Sequence, residues 1–236
     1  MSDHHHHHPT DWKHDGVRVI PGGQLDTNTP QTPGMNRAAA INFARVGAQK
    51  IWAGTVTIQP NAKTGVHHHG ELESVIYVVR GKARMRWGER LEYVAEAEAG
   101  DFIFVPPFVP HQEINADPAN PLECVLVRSD DTAVVVNITD VDPVESVIYV
   151  VRGKARMRWG EQLEFVAEAG PGDFIYVPPY VPHQEINASD TEPLSCVLCR
   201  SGQEPVVVNL DIPVVEKPEE VHWVDNIHPD PKKKPV

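Results

Sequence analysis

The most regular feature of the chain is a series of short apolar stretches, some continuous and some alternating with a period of two. Residues 75–79 are all apolar and mostly β-branched, as expected for a strand in the wall of a barrel. Residues 82–87 alternate strictly between basic and apolar side chains, so that Ala83, Met85 and Trp87 share one face. Both stretches are therefore predicted to be strands.

Further strand-like runs follow at short intervals, with Gly, Pro, Asp and Asn between them. They cover residues 91–95, 102–105, 122–127 and 134–138. Many short strands separated by turn residues are typical of an all-β sandwich or small barrel rather than an α/β fold. Residues 1–35 and 217–236 lack this pattern and are predicted to be irregular, the first as a His-rich leader with its continuation and the second as a tail.

A long internal repeat organises the chain. Residues 73–138 align without a gap with residues 145–210, and 49 of the 66 aligned pairs are identical. Residues 36–72 occur once, so the second copy lacks the strands that precede the first. The sequence therefore predicts one complete barrel over residues 36–144 and a partial copy of it over residues 145–216.

Composition excludes several classes of function. The chain has 33 Asp and Glu against 21 Lys and Arg, and its net charge of −12 argues against a nucleic-acid partner. No stretch approaches the roughly 18–20 apolar residues of a membrane helix, and no secretory leader is evident, so we expect a cytoplasmic protein without a membrane partner. The five histidines His4 to His8 resemble a purification tag or a disordered leader and carry no argument about the fold.

Three histidines form the candidate functional site. His67 and His69 project to the same side of an extended segment, whereas His68 between them projects away. His111 follows later, in a proline-rich extended stretch that restricts where its ring can lie. Three neutral imidazoles suit Fe, Mn, Ni, Cu or Zn, so the sequence predicts one divalent transition metal.

These residues resemble the two motifs of the cupin superfamily. The matching positions are His67, His69, Glu73 and Gly81 for the first motif, and Gly100, Pro106, His111 and Asn115 for the second. Phe108 stands where the family often has glycine. The resemblance implies an antiparallel jelly-roll barrel of six or more strands with a metal in its mouth, commonly ligated by three His and one Glu.

The carboxylate ligand is ambiguous in the sequence. Counting forward from His69 leads to Glu73, whereas counting back from Gly81 leads to Ser74, and a shift of one residue reverses the face of a strand. Glu73 is our choice as metal ligand and candidate catalytic base. Glu71 competes with it, and a three-His site with water in the open positions is the third alternative.

The second copy does not repeat the whole site. His183 matches His111, but Thr139 and Val141 occupy the positions that match His67 and His69. We therefore expect His183 to be either a remnant or a competitor of His111 for the same pair of histidines. The unpaired strand edges of the partial copy favour association of two chains, and we expect a homodimer.

An open-position transition metal in an apolar barrel can activate dioxygen, polarise a carbonyl or generate hydroxide. The resulting hypothesis is an oxidoreductase (a dioxygenase), an isomerase or a lyase that acts on a small molecule, with Fe as the leading metal. The alternative is a cupin that binds a small ligand without turnover. The substrate cannot be read from the sequence, because one fold hosts many activities.

Overall fold

The structure, a computed structural model, describes residues 11–129, 144–202, 210–215, 217–225 and 228. Its helices are α1 (Trp12–Asp15) and α2 (Phe43–Val46), with single 3-10 turns at Gly22–Gln24 and Pro218–Glu220. The strands are β1 (Arg18–Ile20), β2 (Met35–Ile41), β3 (Ile51–Ile58), β4 (Ser74–Arg80), β5 (Lys82–Trp87), β6 (Tyr93–Glu98), β7 (Phe102–Val105), β8 (His111–Asn115), β9 (Leu122–Ser129), β10 (Ser146–Arg152), β11 (Ala155–Trp159), β12 (Phe165–Ala169), β13 (Phe174–Val177), β14 (His183–Asn187), β15 (Ser195–Arg200) and β16 (His222–Trp223).

The first barrel consists of a five-stranded sheet in the order β2-β3-β9-β4-β7 and a three-stranded sheet in the order β6-β5-β8. All of these pairings are antiparallel. Its interior is lined by alternate residues of the strands, including Val56, Ile58, Ile76, Val78, Met85, Leu122 and Leu126. The all-β class predicted from the alternation and the barrel implied by the motif resemblance are thus confirmed.

The second barrel also consists of two sheets, but different strands lie at the edges of these sheets. One sheet has the order β1-β13-β10-β15 and the other the order β14-β11-β12-β16. Strand β15 has no partner beyond it in the described residues, whereas its counterpart β9 pairs with β3. Leu198, a large apolar side chain on β15, is 46% exposed. The second copy is therefore incomplete on this side, as its missing N-terminal counterpart predicts.

Two short strands lie in segments that the sequence predicts to be irregular. Strand β1 pairs with β13, and β16 adds in parallel to β12. Strands of three and two residues are too short to show an alternating pattern in the sequence. Each of them forms because it pairs with an existing edge strand. The proposed boundaries at residues 36, 144 and 216 remain predictions, and the His-rich leader, Thr139, Val141 and residues 229–236 lie outside the described residues.

The outer faces of the two larger sheets pack against each other. Ile41, Ile51, Ala53, Val125 and Val127 of the first barrel contact Val147, Tyr149, Phe174, Tyr176 and Val197 of the second. This inter-barrel core explains why the repeat keeps apolar residues on both faces of these strands. A strand that is covered on both faces has no polar side, so its sequence is a continuous apolar run.

Equivalent phenylalanines in the two copies make a matched test of this packing. Phe174 is 0% exposed in the inter-barrel core, whereas Phe102, at the same position of the repeat, is 58% exposed. We expect Phe174→Ala to lower the free energy of unfolding by about 3–5 kcal/mol because it leaves a cavity, and Phe102→Ala to cost less than about 1 kcal/mol. Urea denaturation of both variants measures the difference, and equal losses would contradict the packing.

Candidate metal centre

Backbone pairing holds two of the three histidines side by side. His67 N–H donates to the His111 carbonyl at 3.1 Å, and His111 N–H donates to the His67 carbonyl at 2.9 Å. His111 begins β8. The segment before it is not extended throughout as the prolines predict, because Pro107 and Phe108 form a turn in which Phe108 has a positive φ of 59°. His68 is exposed on the other side of its segment, as the alternation predicts.

The three rings face one another. The ring centroids of His67 and His111 are 4.4 Å apart, those of His67 and His69 4.8 Å, and those of His69 and His111 5.2 Å. One nitrogen from each ring lies within 4.8 Å of the others. Three imidazole nitrogens this close can ligate the same ion with small ring rotations, since each takes a bond of about 2 Å.

Hydrogen bonds to the backbone select the tautomers. Nδ1 of His111 lies 2.9 Å from the Val109 carbonyl, and Nδ1 of His67 lies 3.0 Å from the Gly65 carbonyl. A carbonyl only accepts, so each Nδ1 donates and each Nε2 keeps a free lone pair. Nε2 of His111 is buried and has no hydrogen-bond partner among the described residues. A buried polar atom without a hydrogen-bond partner costs about 1–3 kcal/mol of stability, which a bond to a metal would offset. The residues therefore fit a metal.

The surroundings keep the imidazoles of His69 and His111 neutral. Burial, reinforced by the positive charge of Arg128 and by the neighbouring rings, lowers the pKa of His69 to about 3. Burial also lowers the pKa of His111. A neutral ring is the form that ligates a metal, so these two side chains are available as ligands below the pH at which a free histidine becomes charged.

The structure does not bring the predicted carboxylates into this cluster. Glu73 lies before β4 with an exposed side chain, and its backbone N–H and carbonyl both bond to Ser129. Glu71 is also exposed. Ser74, the alternative from the second motif count, is 2% exposed and points into the barrel. The roles of Glu73 as ligand and base remain predictions.

His183 is placed far less favourably than His111. It begins β14 of the second barrel and is exposed, whereas His111 is 1% exposed. In the described residues, the cluster of possible metal ligands contains His111 and not His183.

A family model for the cupin domain matches residues 54–128 and 137–199. The chain belongs to the cupin family. Each of the two matched segments overlaps one copy of the repeat, which is consistent with a tandem duplication. No curated protein sequence matches the chain.

Solved structures show the same architecture. Protein YlbA from E. coli superposes with a TM-score of 0.63 at 13% identity, over 83% of this cupin and 94% of that chain. The putative glyoxylate-induced protein from Pseudomonas aeruginosa gives 0.62 at 17% identity, over 86% and 94%. Oxalate decarboxylase from Bacillus subtilis gives 0.59 at 13% identity, over 77% and 76%. At these identities the likeness concerns the fold.

A cavity of about 580 Å³ leads to the histidine cluster of this cupin. It is lined by β5, β6, β7 and His111, with Trp87, Phe102, Phe104 and Val109 among its apolar walls. In the second barrel the corresponding interior is occupied by Val17 and Val19 from the N-terminal segment. The first barrel of the cupin is thus open toward its histidines.

Sequence reasoning missed Arg128, which this cupin places inside the barrel. Its Nη2 donates to His69 Nε2 at 3.0 Å, and its Nε donates to the Ser74 hydroxyl at 3.1 Å. Burial lowers the pKa of Arg128. The signal was available, since Leu122, Cys124, Leu126 and Arg128 alternate inward along β9. A cation therefore contacts both His69 and Ser74, the residue to which one of the two motif counts assigns the carboxylate.

Glu113 is the second residue that sequence reasoning missed. It lies two residues after His111 on β8, so both side chains share the inner face. Its Oε1 is 4.0 Å from His111 Nε2, and its side chain is 15% exposed. Glu113 is the carboxylate that the structure places beside the histidine cluster.

Metal analysis distinguishes the two repeat histidines. We expect protein freed of His4 to His8 to bind about one divalent ion per chain, because only the first barrel has all three imidazoles. His111→Ala should lose at least about tenfold in affinity for this ion, and the matched variant His183→Ala should bind as the parent does. Loss of metal in His183→Ala alone would contradict this assignment.

Proposed function

We propose that this cupin is a metal-dependent enzyme that turns over a small molecule in its first barrel, as an oxygenase, isomerase or lyase. The observation that carries the proposal is the buried Nε2 of His111, which lacks a hydrogen-bond partner in the described residues and faces two further imidazoles. Fe(II) is the first metal to test. Mn(II) is the second, because the oxalate decarboxylase that shares the fold has Mn(II) centres. A cytoplasmic location is part of the proposal.

Each side chain has a distinct task in this proposal. His67, His69 and His111 hold the ion, which supplies a Lewis acid or an activated oxygen species when bound. If Nε2 of His69 held the ion, Nη2 of Arg128 would lose this acceptor and would be free to donate inside the barrel. A released guanidinium favours a substrate with a carboxylate or another anionic group.

Glu113 is the group that we propose for proton transfer. Its position 4.0 Å from His111 Nε2 places it beside the ion that the ring would hold. A carboxylate at this distance can accept or donate a proton on the substrate without itself being one of the three imidazole ligands. Glu73 remains the competing candidate, and it would need its exposed segment to move inward.

Activity screens of the metal-loaded protein test the proposal. Oxygen uptake, isomerisation and decarboxylation should be measured with small mono- and dicarboxylic acids. Once a substrate is found, Glu113→Gln should lower kcat by about 100-fold or more with metal retained, and Arg128→Met should mainly raise KM. Glu73→Gln is the matched control and should stay within about twofold of the parent. Loss of activity in Glu73→Gln instead of Glu113→Gln would assign the base to Glu73.

A ligand-binding cupin without turnover is the second candidate function. The apolar and aromatic walls of the cavity favour it, because such a cavity can hold a ligand without assistance from the metal. Saturable binding of a small molecule with no product formed under any metal would support this alternative.

We also propose a homodimer formed through the incomplete side of the second barrel. Strand β15 is an edge in the described residues, with Leu198 and Cys196 exposed on it. An exposed apolar edge favours pairing with another chain. Light scattering at micromolar concentration should give the mass of two chains, and Leu198→Lys should shift the protein toward monomer. A monodisperse monomer of the parent protein would contradict the proposal.

A further inference from the structure

The two barrels have nearly identical clefts, and one of them is filled. Residues 82–97 differ from residues 154–169 at two of 16 positions, and residues 100–115 differ from residues 172–187 at two of 16. Nevertheless Trp159 is 1% exposed and Ile175 0%, whereas their counterparts Trp87 and Ile103 are half-buried. This difference in exposure must come from the residues that cover each cleft, because the strands that form the two clefts have nearly the same sequence.

The chain's own N-terminal segment fills the second cleft. Strand β1 pairs with the edge strand β13, with Val19 opposite Ile175. Val17 is 3% exposed, and Val17 and Val19 both pack into the interior of the second barrel. Trp12 packs against the same interior, and its carbonyl accepts a hydrogen bond of 2.6 Å from Trp159 Nε1.

Two glycines allow the segment to lie this close. A Cβ at Gly16 would be 2.3 Å from Trp159 Nε1, and a Cβ at Gly22 would be 2.6 Å from the Gly172 carbonyl. Gly22 N–H also donates to Asp173 Oδ1 at 2.8 Å. The bound segment thus has a readable pattern: Trp, Gly four residues later, Val five and seven residues later, and Gly ten residues later.

The two side chains that hydrogen-bond to this segment are present again in the first barrel. Trp87 matches Trp159, and its Nε1 has no hydrogen-bond partner in the described part of the chain. Asp101 Oδ2 accepts from Glu98 N–H at 2.9 Å, just as Asp173 Oδ2 accepts from Gly170 N–H at 2.7 Å. The remaining oxygen of Asp101 is therefore placed like the oxygen that binds Gly22.

The backbone edge is present as well. Within the described ranges β7 pairs only with β4, whereas β13 pairs with both β10 and β1. An exposed edge strand offers a row of backbone donors and acceptors to an added strand, and flanking pockets select its alternate side chains.

We propose that the cleft between β6 and β7 is a docking site for a peptide segment of a partner protein that adds a short strand to β7, with the pattern Trp-x-x-x-Gly-Val-x-Val-x-x-Gly. The partner is a different protein, because each chain has two such clefts and a single segment of this pattern, which its second barrel already holds. The docking site shares the cavity that leads to the histidine cluster, so a bound strand would close that cavity to a small molecule. Binding of the strand itself requires neither the metal nor turnover.

A synthetic peptide tests the docking site directly. We would titrate full-length protein into a blocked, fluorescently labelled peptide of residues 11–23 and follow fluorescence polarisation, with calorimetry for the stoichiometry. We expect saturable binding of one peptide per chain. Peptides with Gly16→Val or Gly22→Val are matched controls and should not saturate, because their added side chains meet the cleft wall.

Paired protein variants identify the cleft. Trp87→Phe should weaken the peptide by about fivefold and Asp101→Ala by about tenfold, as expected for a neutral and a charged hydrogen bond. Trp159→Phe and Asp173→Ala, the same changes in the second barrel, should leave the affinity of the first cleft unchanged.

Three results would overturn the proposal. The absence of saturable binding would show that the first cleft does not accept the strand. Weakening by Asp173→Ala instead of Asp101→Ala would show that the peptide replaces the resident segment in the second barrel. A concentration-dependent dimer of the parent protein that Trp12→Ala abolishes would identify a second copy of the chain, and not another protein, as the occupant.

Discussion

The structure depends on how the edges of its sheets are covered. An unpaired edge strand presents backbone donors and acceptors that need a partner, and the duplicated segment adds further edge strands to the molecule. In the second barrel β1 and β16 cover two of them with segments that have little structural preference of their own. In the first barrel β2 and β3 extend the sheet beyond β9. The two copies therefore have nearly the same sequence but different strands beside their edges.

The inter-barrel core turns these two copies into one unit. The outer face of the larger sheet of the first barrel is covered where it meets the second, while Phe102 and Phe104 at its far edge stay exposed. One sequence repeated twice therefore experiences two environments. Phe174 and Tyr176 are core residues, whereas their counterparts are surface residues, although the local sequence is almost unchanged.

The neighbouring segments also explain why, among the described residues, the first barrel has a cluster of three histidines and the second has His183 without it. Strand β8 presents His111 to a segment that carries two more histidines, and the backbone pairing of His67 with His111 sets their distance. Strand β14 presents His183 without such a segment, and the ring is exposed. Burial keeps the imidazoles of His69 and His111 neutral, which is the protonation state that a metal requires.

The sequence by itself determined the all-β class, the duplication, the histidine cluster and the absence of its counterpart in the second copy. Each of these follows from local spacing, because a strand alternates its side chains and a repeat can be aligned. The place of Glu113 beside His111 follows from the alternation of side chains along β8, once that strand is known to carry His111 inward. Tertiary structure decided that Glu73 lies exposed, because that outcome depends on how the segment before β4 packs. It also decided that residues 18–20 and 222–223 become strands, since so short a segment takes its conformation from the edge that it joins.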